Sequence, residues 1–491
     1  MELCLETRFN IQDPIFYPSI GLDLMTCDDL LFCEPEGMIT QFSDMSAGNS
    51  FSYGGTDVSD ISSCCTETYQ QGFLNSEDAN SFMDFALDFE DPILAEATEL
   101  HETPQVILPG QTLDEAESSR FTVENLLKAW AEALEKEAWE LLKVISNRLQ
   151  RRVSVTGTHL ERAAYYFVNS PNPPEAPGSA GYRLMEEICK EASATAFQAL
   201  YELFPYARFA HFTANQSILE CFASSNSRKI HIVDFDVREG LQWPPLMEAL
   251  AAQSGKRSLQ LLRITAVKWE DDAGVGFKAA RATARRLSGA AAALEIPFLY
   301  EEIRLQDLRQ RLLWEEPDFC LVFNMMLDLP HMPCQRSEEE ALKFLSLARH
   351  LPLPPAILTS ASPVIHDGHV SDTVDYFCAM LESLEFGLPG EGLAMATRVM
   401  EHIFIAPKIR SRVSASHGKG LMEDKLRQLP SQCGFSDAGV EPSEEKIAQA
   451  WEVVGLNRGS LNYTVENYKN EIILKWRNRP LVSSSAWRCF V

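Results

Sequence analysis

The stretch Ile230-His-Ile-Val-Asp-Phe-Asp-Val-Arg-Glu-Gly-Leu-Gln-Trp-Pro-Pro-Leu246 decides the fold class of this chain. Its apolar start, Ile230–Val233, ends at Asp234 and Asp236. A short apolar run closed by polar residues and a turn reads as a buried strand. Gly240 marks the turn, and Pro244 and Pro245 then open an apolar helix containing Leu246, Met247 and Leu250. Proline is tolerated there because its missing N–H would have had no partner in a first helical turn. Asp234 and Asp236 therefore stand at the carboxyl end of the strand, where open α/β sheets usually hold their ligands.

The same alternation continues downstream. Candidate strands fall at 259–266, 297–303, 319–324, 356–360 and 401–405, with a last one near 485–490, and helical stretches at 245–253, 276–294, 338–350 and 371–385 fill most gaps. Repeated βα units of this length predict a mainly parallel, doubly wound, Rossmann-like sheet with right-handed crossovers across residues 229–491. Residues 120–228 read as an all-helical block. Leu126, Leu127, Trp130, Ala131, Leu134, Ala138, Leu141, Leu142, Ile145 and Leu149 recur at three- and four-residue steps and define one apolar helix face. A second helix carries Arg162, Ala163, Ala164, Tyr166 and Phe167; a loop at 171–181 and helices through 182–204 and 215–224 follow. Trp130 and Leu134 are anchors of either a core or an interface, which spacing alone does not separate.

Charge divides the chain in two. Of its 70 acids and 43 Lys+Arg, 24 acids and one base (Arg8) lie in residues 1–119, which leaves 46 acids against 42 bases in residues 120–491. A nearly neutral globular body therefore carries an acidic arm, and the arm lacks sustained periodicity, the composition expected of disorder. Within it Phe82, Phe85, Leu87, Phe89, Ile93 and Leu94 alternate with Asp84, Asp88, Glu90 and Asp91, and Leu22, Leu24, Leu30, Leu31 and Phe32 sit beside Asp23, Asp28 and Asp29. This is the composition of activation segments, in which charge keeps apolar anchors solvated until a partner groove accepts them; a plain solvated tail has the same composition. Twelve cysteines without a CxxC pair fit reduced thiols. The opening Met-Glu-Leu-Cys-Leu-Glu has no basic region, and no apolar stretch approaches a membrane span, so neither a signal peptide nor a membrane partner is expected.

Enzyme signatures are sparse. The sequence holds no GxSxG, no P-loop and no HExxH. A Rossmann-like core suggests an S-adenosylmethionine methyltransferase, with Glu270 or Asp271 on the ribose. Such a site needs glycines in its first loop, whereas Asp234–Gly240 holds one glycine and the bulky Val237, Arg238 and Glu239. Asp234 and Asp236, two apart on an extended strand, share a face and could form an acid–base or metal pair. His231 points the other way, and no His or Cys lies at ligand spacing. The plainer expectation is that the carboxylates accept backbone N–H bonds and shape the loop, and that His231 is a satisfied, partly buried histidine. No catalytic, cofactor or metal residue is assigned. Lys278, Arg281 and Arg285 line one helix face with Arg286 beside them, but an anionic protein is poorly placed to neutralise phosphates, so a solvated face is expected. Without a zinc-finger, homeodomain or basic-zipper signature, DNA would be reached through another protein. Arg148-Leu-Gln-Arg-Arg152 is the best nuclear-import candidate.

The wording around the first strand resembles the VHIID motif of the GRAS family of plant transcriptional regulators, with His231 and Asp234 as its named letters. The likeness covers about residues 121–491. Tyr201–Gln216 looks like the segment leading into VHIID, and Asp236, Gly240, Gln242, Trp243 and Pro244 match its continuation. Leu262-Arg-Ile-Thr265 resembles the next strand. Tyr376, Leu381, Ser383, Leu384 and Glu385 with Arg398 and Glu401 look like the PFYRE region, and Ser485-Ala-Trp-Arg488, with its Ser485 and Trp487, is similar to the SAW motif. The arm shows no DELLA-like peptide, Trp130-Ala-Glu132 stands where the family has Cys-Ala-Glu, and no LxxLL occurs. Val233-Asp-Phe-Asp236 with Glu239-Gly240, and Ala266-Val-Lys-Trp269, lean toward the nodulation-signalling branch. The resemblance implies a non-enzymatic nuclear co-regulator, with the arm recruiting transcriptional machinery and the folded part heterodimerising with other GRAS proteins and binding DNA-binding transcription factors such as zinc-finger proteins.

Overall fold

A computed structural model of the chain describes residues 113–170, 196–197, 199–252, 259–269, 276–313, 315–332, 337–352, 354–365, 369–388, 394–415, 423–437, 439–455 and 460–489. The apolar–acidic patches of the arm, the 171–181 loop, most of 182–204, and Glu270 and Asp271 lie outside the described residues.

A nine-stranded sheet organises the molecule in the order β3-β2-β1-β4-β5-β9-β8-β7, with β6 (Phe435–Ser436) paired to β9. The strands β1 (Lys229–Asp234), β2 (Leu261–Lys268), β3 (Phe298–Arg304), β4 (Phe319–Met326) and β5 (Ile357–Pro363) are parallel neighbours, as the alternating pattern predicts. Parity along β1 explains the double winding, because successive side chains of a strand point to opposite faces. Ile230 and Ile232 pack with α4 (Pro205–Ser224), α5 (Trp243–Ala252) and α6 (Gly276–Ala293). Val233 packs on the other face with α7 (Leu305–Leu312) and α8 (Glu338–Arg349). β4, with Phe-Cys-Leu-Val-Phe-Asn-Met-Met, is buried along its whole length, as a central parallel strand covered on both faces must be.

Beyond β5 the sheet turns antiparallel. β7 (Tyr463–Tyr468), β8 (Glu471–Trp476) and β9 (Arg479–Cys489) form a meander that joins β5 through β9. Only the final strand is expected from the sequence, and it runs longer than 485–490.

Two expectations are corrected. The apolar run 401–405 is not a strand but a π turn, Glu401–Ile405, between α10 (Ala394–Met400) and α11 (Ala406–Ala415). A short apolar run does not by itself distinguish strand from buried helix, and here helices continue on both sides. The single face drawn over 126–149 belongs to two helices, α1 (Leu113–Glu135) and α2 (Trp139–Gln150), broken where Glu137 takes φ 52°. The break rotates Leu141 off the buried face, and it is 53% exposed.

α3 (His159–Asn169) starts with a capping box in which Thr158 and Glu161 satisfy each other's backbone donors. α1–α3 and the first half of α4 share one apolar cluster with α9 (Val370–Gly387), α10, α11, the hairpin β7–β8 and β9. α12 (Glu423–Gln432) and α13 (Glu444–Gly455) complete the flanks. Among the described residues no helix is long and apolar enough to cross a membrane.

Candidate functional site at the carboxyl end of β1

Asp234 ends β1 at 2% exposure, and three donors converge on it. Oδ2 accepts the Trp243 indole N–H at 3.0 Å, while Oδ1 accepts the Asp236 backbone N–H at 3.1 Å and Asn324 Nδ2 at 3.4 Å. Burial pushes the Asp234 carboxyl up to about 7, against the pull of those donors. Asn324 and Gln242 exchange amide bonds of 3.0 and 3.2 Å. Gln242 also donates to Asn215 Oδ1 at 3.2 Å, Asn215 Nδ2 returns a bond to the Gln242 carbonyl at 2.8 Å, and Thr359 Oγ1 donates to Asn324 Oδ1 at 2.9 Å. Side chains from α4, β1, α5, β4, β5 and the loop before α5 thus knit the strand ends together. Asn215, Asn324 and Thr359 escape the sequence reading, although an asparagine inside the otherwise apolar run of β4 is the signal that could have found the centre of the network.

The loop above this network is closed as firmly. Gly240 has φ +72°, and a Cβ there would stand 3.0 Å from Thr283 Cγ2, so glycine answers both backbone and space. Arg238 also takes a positive φ of 47°, and its guanidinium pairs with Asp236 Oδ2 at 2.8 Å. From α6, Thr283 Oγ1 donates to the Arg238 carbonyl at 2.9 Å and Arg286 Nη2 to the Glu239 carbonyl at 2.7 Å. Arg286, one of the basic-stripe residues, therefore holds the loop.

His231 occupies the opposite face, fully buried rather than partly so. Its Nδ1 lies 2.8 Å from Glu315 Oε2 and its Nε2 2.8 Å from Thr265 Oγ1. Glu315 also accepts from Arg263 at 2.9 Å, and Thr265 donates to Glu301 at 2.7 Å. Burial lowers the histidine's pKa, with Glu315 opposing.

The match to the GRAS domain family spans residues 123–488. The chain belongs to the GRAS family of plant transcriptional regulators. It is 35% identical to protein NODULATION SIGNALING PATHWAY 2 of Lotus japonicus, over 74% of this chain and 75% of that one. It is 31% identical to the protein of the same name from Medicago truncatula, over 76% and 77%. The solved structure of SCL7 from Oryza sativa superposes with a TM-score of 0.57 at 24% identity, covering 74% of this chain and 99% of that chain, and so has the same fold.

The remaining GRAS motif residues do not gather at the β1 site. Trp130 and Leu134 are 1% and 2% exposed within the helical block; the Trp130 indole donates to Ser146 Oγ at 3.0 Å and its ring lies 5.8 Å from Phe167. Ser485 and Trp487 sit on β9, between β5 and β8, where Trp487 Nε1 donates to Ser485 Oγ at 2.8 Å. Arg398 is buried on α10. Glu401 opens the π turn at 0% exposure and meets Arg162 Nε at 3.0 and 3.2 Å and the Tyr166 hydroxyl at 3.2 Å. The same guanidinium reaches Glu385 at 3.1 Å and the Gly157 carbonyl at 2.6 Å. Burial pushes Glu401 up to about 7 despite Arg162, whereas His159 and Arg162 pull the half-exposed Glu385 down to about 2 against its burial. These residues tie the helical block to the α9–α11 region.

Proposed function

We propose that this GRAS protein is a nuclear, non-enzymatic co-regulator that reaches DNA through partner transcription factors. Residues 1–119 form an activation arm, and residues 120–491 form a scaffold that holds a DNA-binding partner or a second GRAS protein through the helical block, 120–228, and the VHIID region of the α/β core, 229–491. The observation that carries this reading is the filled strand end. In an open α/β enzyme the carboxyl end of the first strand is left for the ligand; here Asp234, Gln242, Trp243 and Asn324 occupy it, all buried and bonded to one another. A methyltransferase would have to break that network to admit its cofactor, at a cost of a buried polar group for each bond lost.

A tethered reporter in plant cells tests the proposal. The full chain and residues 120–491 are each fused to a foreign DNA-binding domain. Activation by the full chain that vanishes without the arm is expected; none from either fusion removes the activation arm from the reading. Calorimetry with S-adenosylmethionine is expected to give no saturable heat, and a saturating isotherm would overturn the scaffold in favour of an enzyme.

A further inference from the structure

Helix α2 turns Ile145 and Leu149 into the core and leaves Leu141 and Val144 53% and 49% exposed. Residues 141, 144, 148 and 151 follow at steps of three and four, so they form one stripe on the outer surface. From Leu141 to Arg152 the chain carries Lys143, Arg148, Arg151 and Arg152 and no acid. All four bases are exposed, and among the described residues none is paired with a carboxylate. An apolar start followed by an unneutralised basic end suits an occupant with apolar side chains and several negative charges.

The chain contains such an occupant. Phe82–Leu94 presents Phe82, Phe85, Leu87 and Phe89 among Asp84, Asp88, Glu90 and Asp91, with no base. The tether fits. Contact of Trp130 with Ser146 sets α1 against α2 across the short turn at Glu137, which places Arg152 level with about residue 124 of α1. The start of α1 at Leu113 therefore lies roughly 17 Å beyond the basic end. The 95–112 connection can reach up to ~60 Å, more than enough to fold back, and a tether of that length holds the segment at millimolar effective concentration. A second copy is the poorer occupant, because a two-fold contact on this stripe would set Arg148, Arg151 and Arg152 against the same three bases.

We propose that residues 82–94 dock in the same chain on the stripe that runs from Leu141 of α2 to Arg151 and Arg152 in the turn after it. The acids meet Arg148, Arg151 and Arg152, and the phenylalanines cover Leu141 and Val144. Docking withholds those phenylalanines from any other groove, so a partner that takes the arm must first displace it from α2. That consequence for transcriptional output rests on the activation-arm reading above; the contact itself does not.

Benzoylphenylalanine replacing Val144 in the full-length chain provides the test. After irradiation in dilute, low-salt solution, the protein is cut at glutamates and the linked peptides are identified by mass spectrometry. The expected product is an intrachain link to 82–94. It should fall about tenfold in D84N/D88N/E90Q/D91N and in R148Q/R151Q/R152Q, and at ~0.5 M salt, since exposed ion pairs are weak singly and screened by salt. Circular dichroism of the arginine variant should match the parent, because all three arginines are exposed. A link between two chains, a link to another segment, or a link to 82–94 indifferent to both variants overturns the proposal. A link with no arm-dependent reporter activity leaves the docking standing and removes only the activation reading.

Discussion

At the end of β1 one buried carboxylate receives three neutral donors, whereas between α3, α9 and the π turn two carboxylates share one guanidinium. The first cluster joins Asp234 to Trp243 nine residues away and to Asn324 across a parallel strand pair. The second joins Arg162 to Glu401, 239 residues on. The neutral cluster closes a strand–loop–helix unit that is already compact in sequence, and it needs no counter-charge. In the ionic cluster desolvation cancels much of the attraction, so its consequence is to fix where the helical block sits more than to add stability.

The largest expected effect lies in the apolar ground beneath the ionic cluster. Leu134→Asp puts an unpaired carboxylate at a 2%-exposed position in the cluster shared by α1, α3 and α9. More than about 5 kcal/mol should be lost, beyond the range of ordinary substitutions. Helix content and the cooperative unfolding transition of the full chain report it; a folded monomer of unchanged stability would move Leu134 from core to interface. Arg162→Met comes next, at about 3–5 kcal/mol, because it leaves Glu401 buried without its partner. The deficit should grow with pH. Glu401 has a folded pKa raised to about 7 over an ordinary 4.5, so its contribution to stability is complete below 4.5 and is lost as pH rises through 7. Without Arg162 the charged form becomes costlier still. The double variant Arg162→Met/Glu401→Gln should recover most of the loss in urea titrations; equal losses in the single and double variants would mean that the pair does not act as a unit.

Both clusters draw on sequence information of different reach. The parallel half of the sheet was legible because each strand is an apolar run met by a turn and a helix, and parity alone sends His231 and Asp234 to opposite faces. Gly240 is legible as the turn after β1, whereas Gln242 and Trp243 stand out only through the VHIID resemblance, because nothing local shows that both side chains turn back onto the strand ends. The 401–405 π turn is not legible locally, because His402–Ile405 has a strand's composition and a helix's neighbours. The break at Glu137 carries no glycine or proline to announce it. In the β7–β8–β9 meander the one local signal is Arg477-Asn478, both at positive φ (45° and 67°), which makes a two-residue hairpin turn of the type asparagine favours. Nothing local could have paired Arg162 with Glu401: an arginine on an amphipathic helix looks solvated until a segment more than two hundred residues away covers it.

Asp234 and Glu401 both have raised folded pKa values, so they contribute pH slopes of the same sign from different regions. Between about 4 and 7 the folded protein holds protons that the unfolded chain has released, and stability falls as pH rises, by up to about 1.4 kcal/mol per pH unit per group. Asp234→Asn should remove one share of that fall and leave the share carried by Glu401, which pH-dependent thermal unfolding resolves. An unaltered slope would mean that Asp234 is ionised throughout the window.

Trp243→Phe has the smallest expected effect and bears most directly on how the neutral cluster works. It deletes one donor to Asp234 and keeps most of the ring, so the cost should be about 1–3 kcal/mol. Because that N–H favours the ionised carboxylate, its loss should move the Asp234 titration further above 7, and the fall in stability should extend to higher pH. The same substitution leaves the ionic cluster untouched, since Trp243 packs with α4 and α6 and Arg162 with α9 and the π turn. A shift in the pH profile without a change in the response to Arg162→Met would therefore separate the two clusters energetically. If instead the two substitutions prove non-additive, the strand end and the helical block are coupled, and a partner seated on one would be felt at the other.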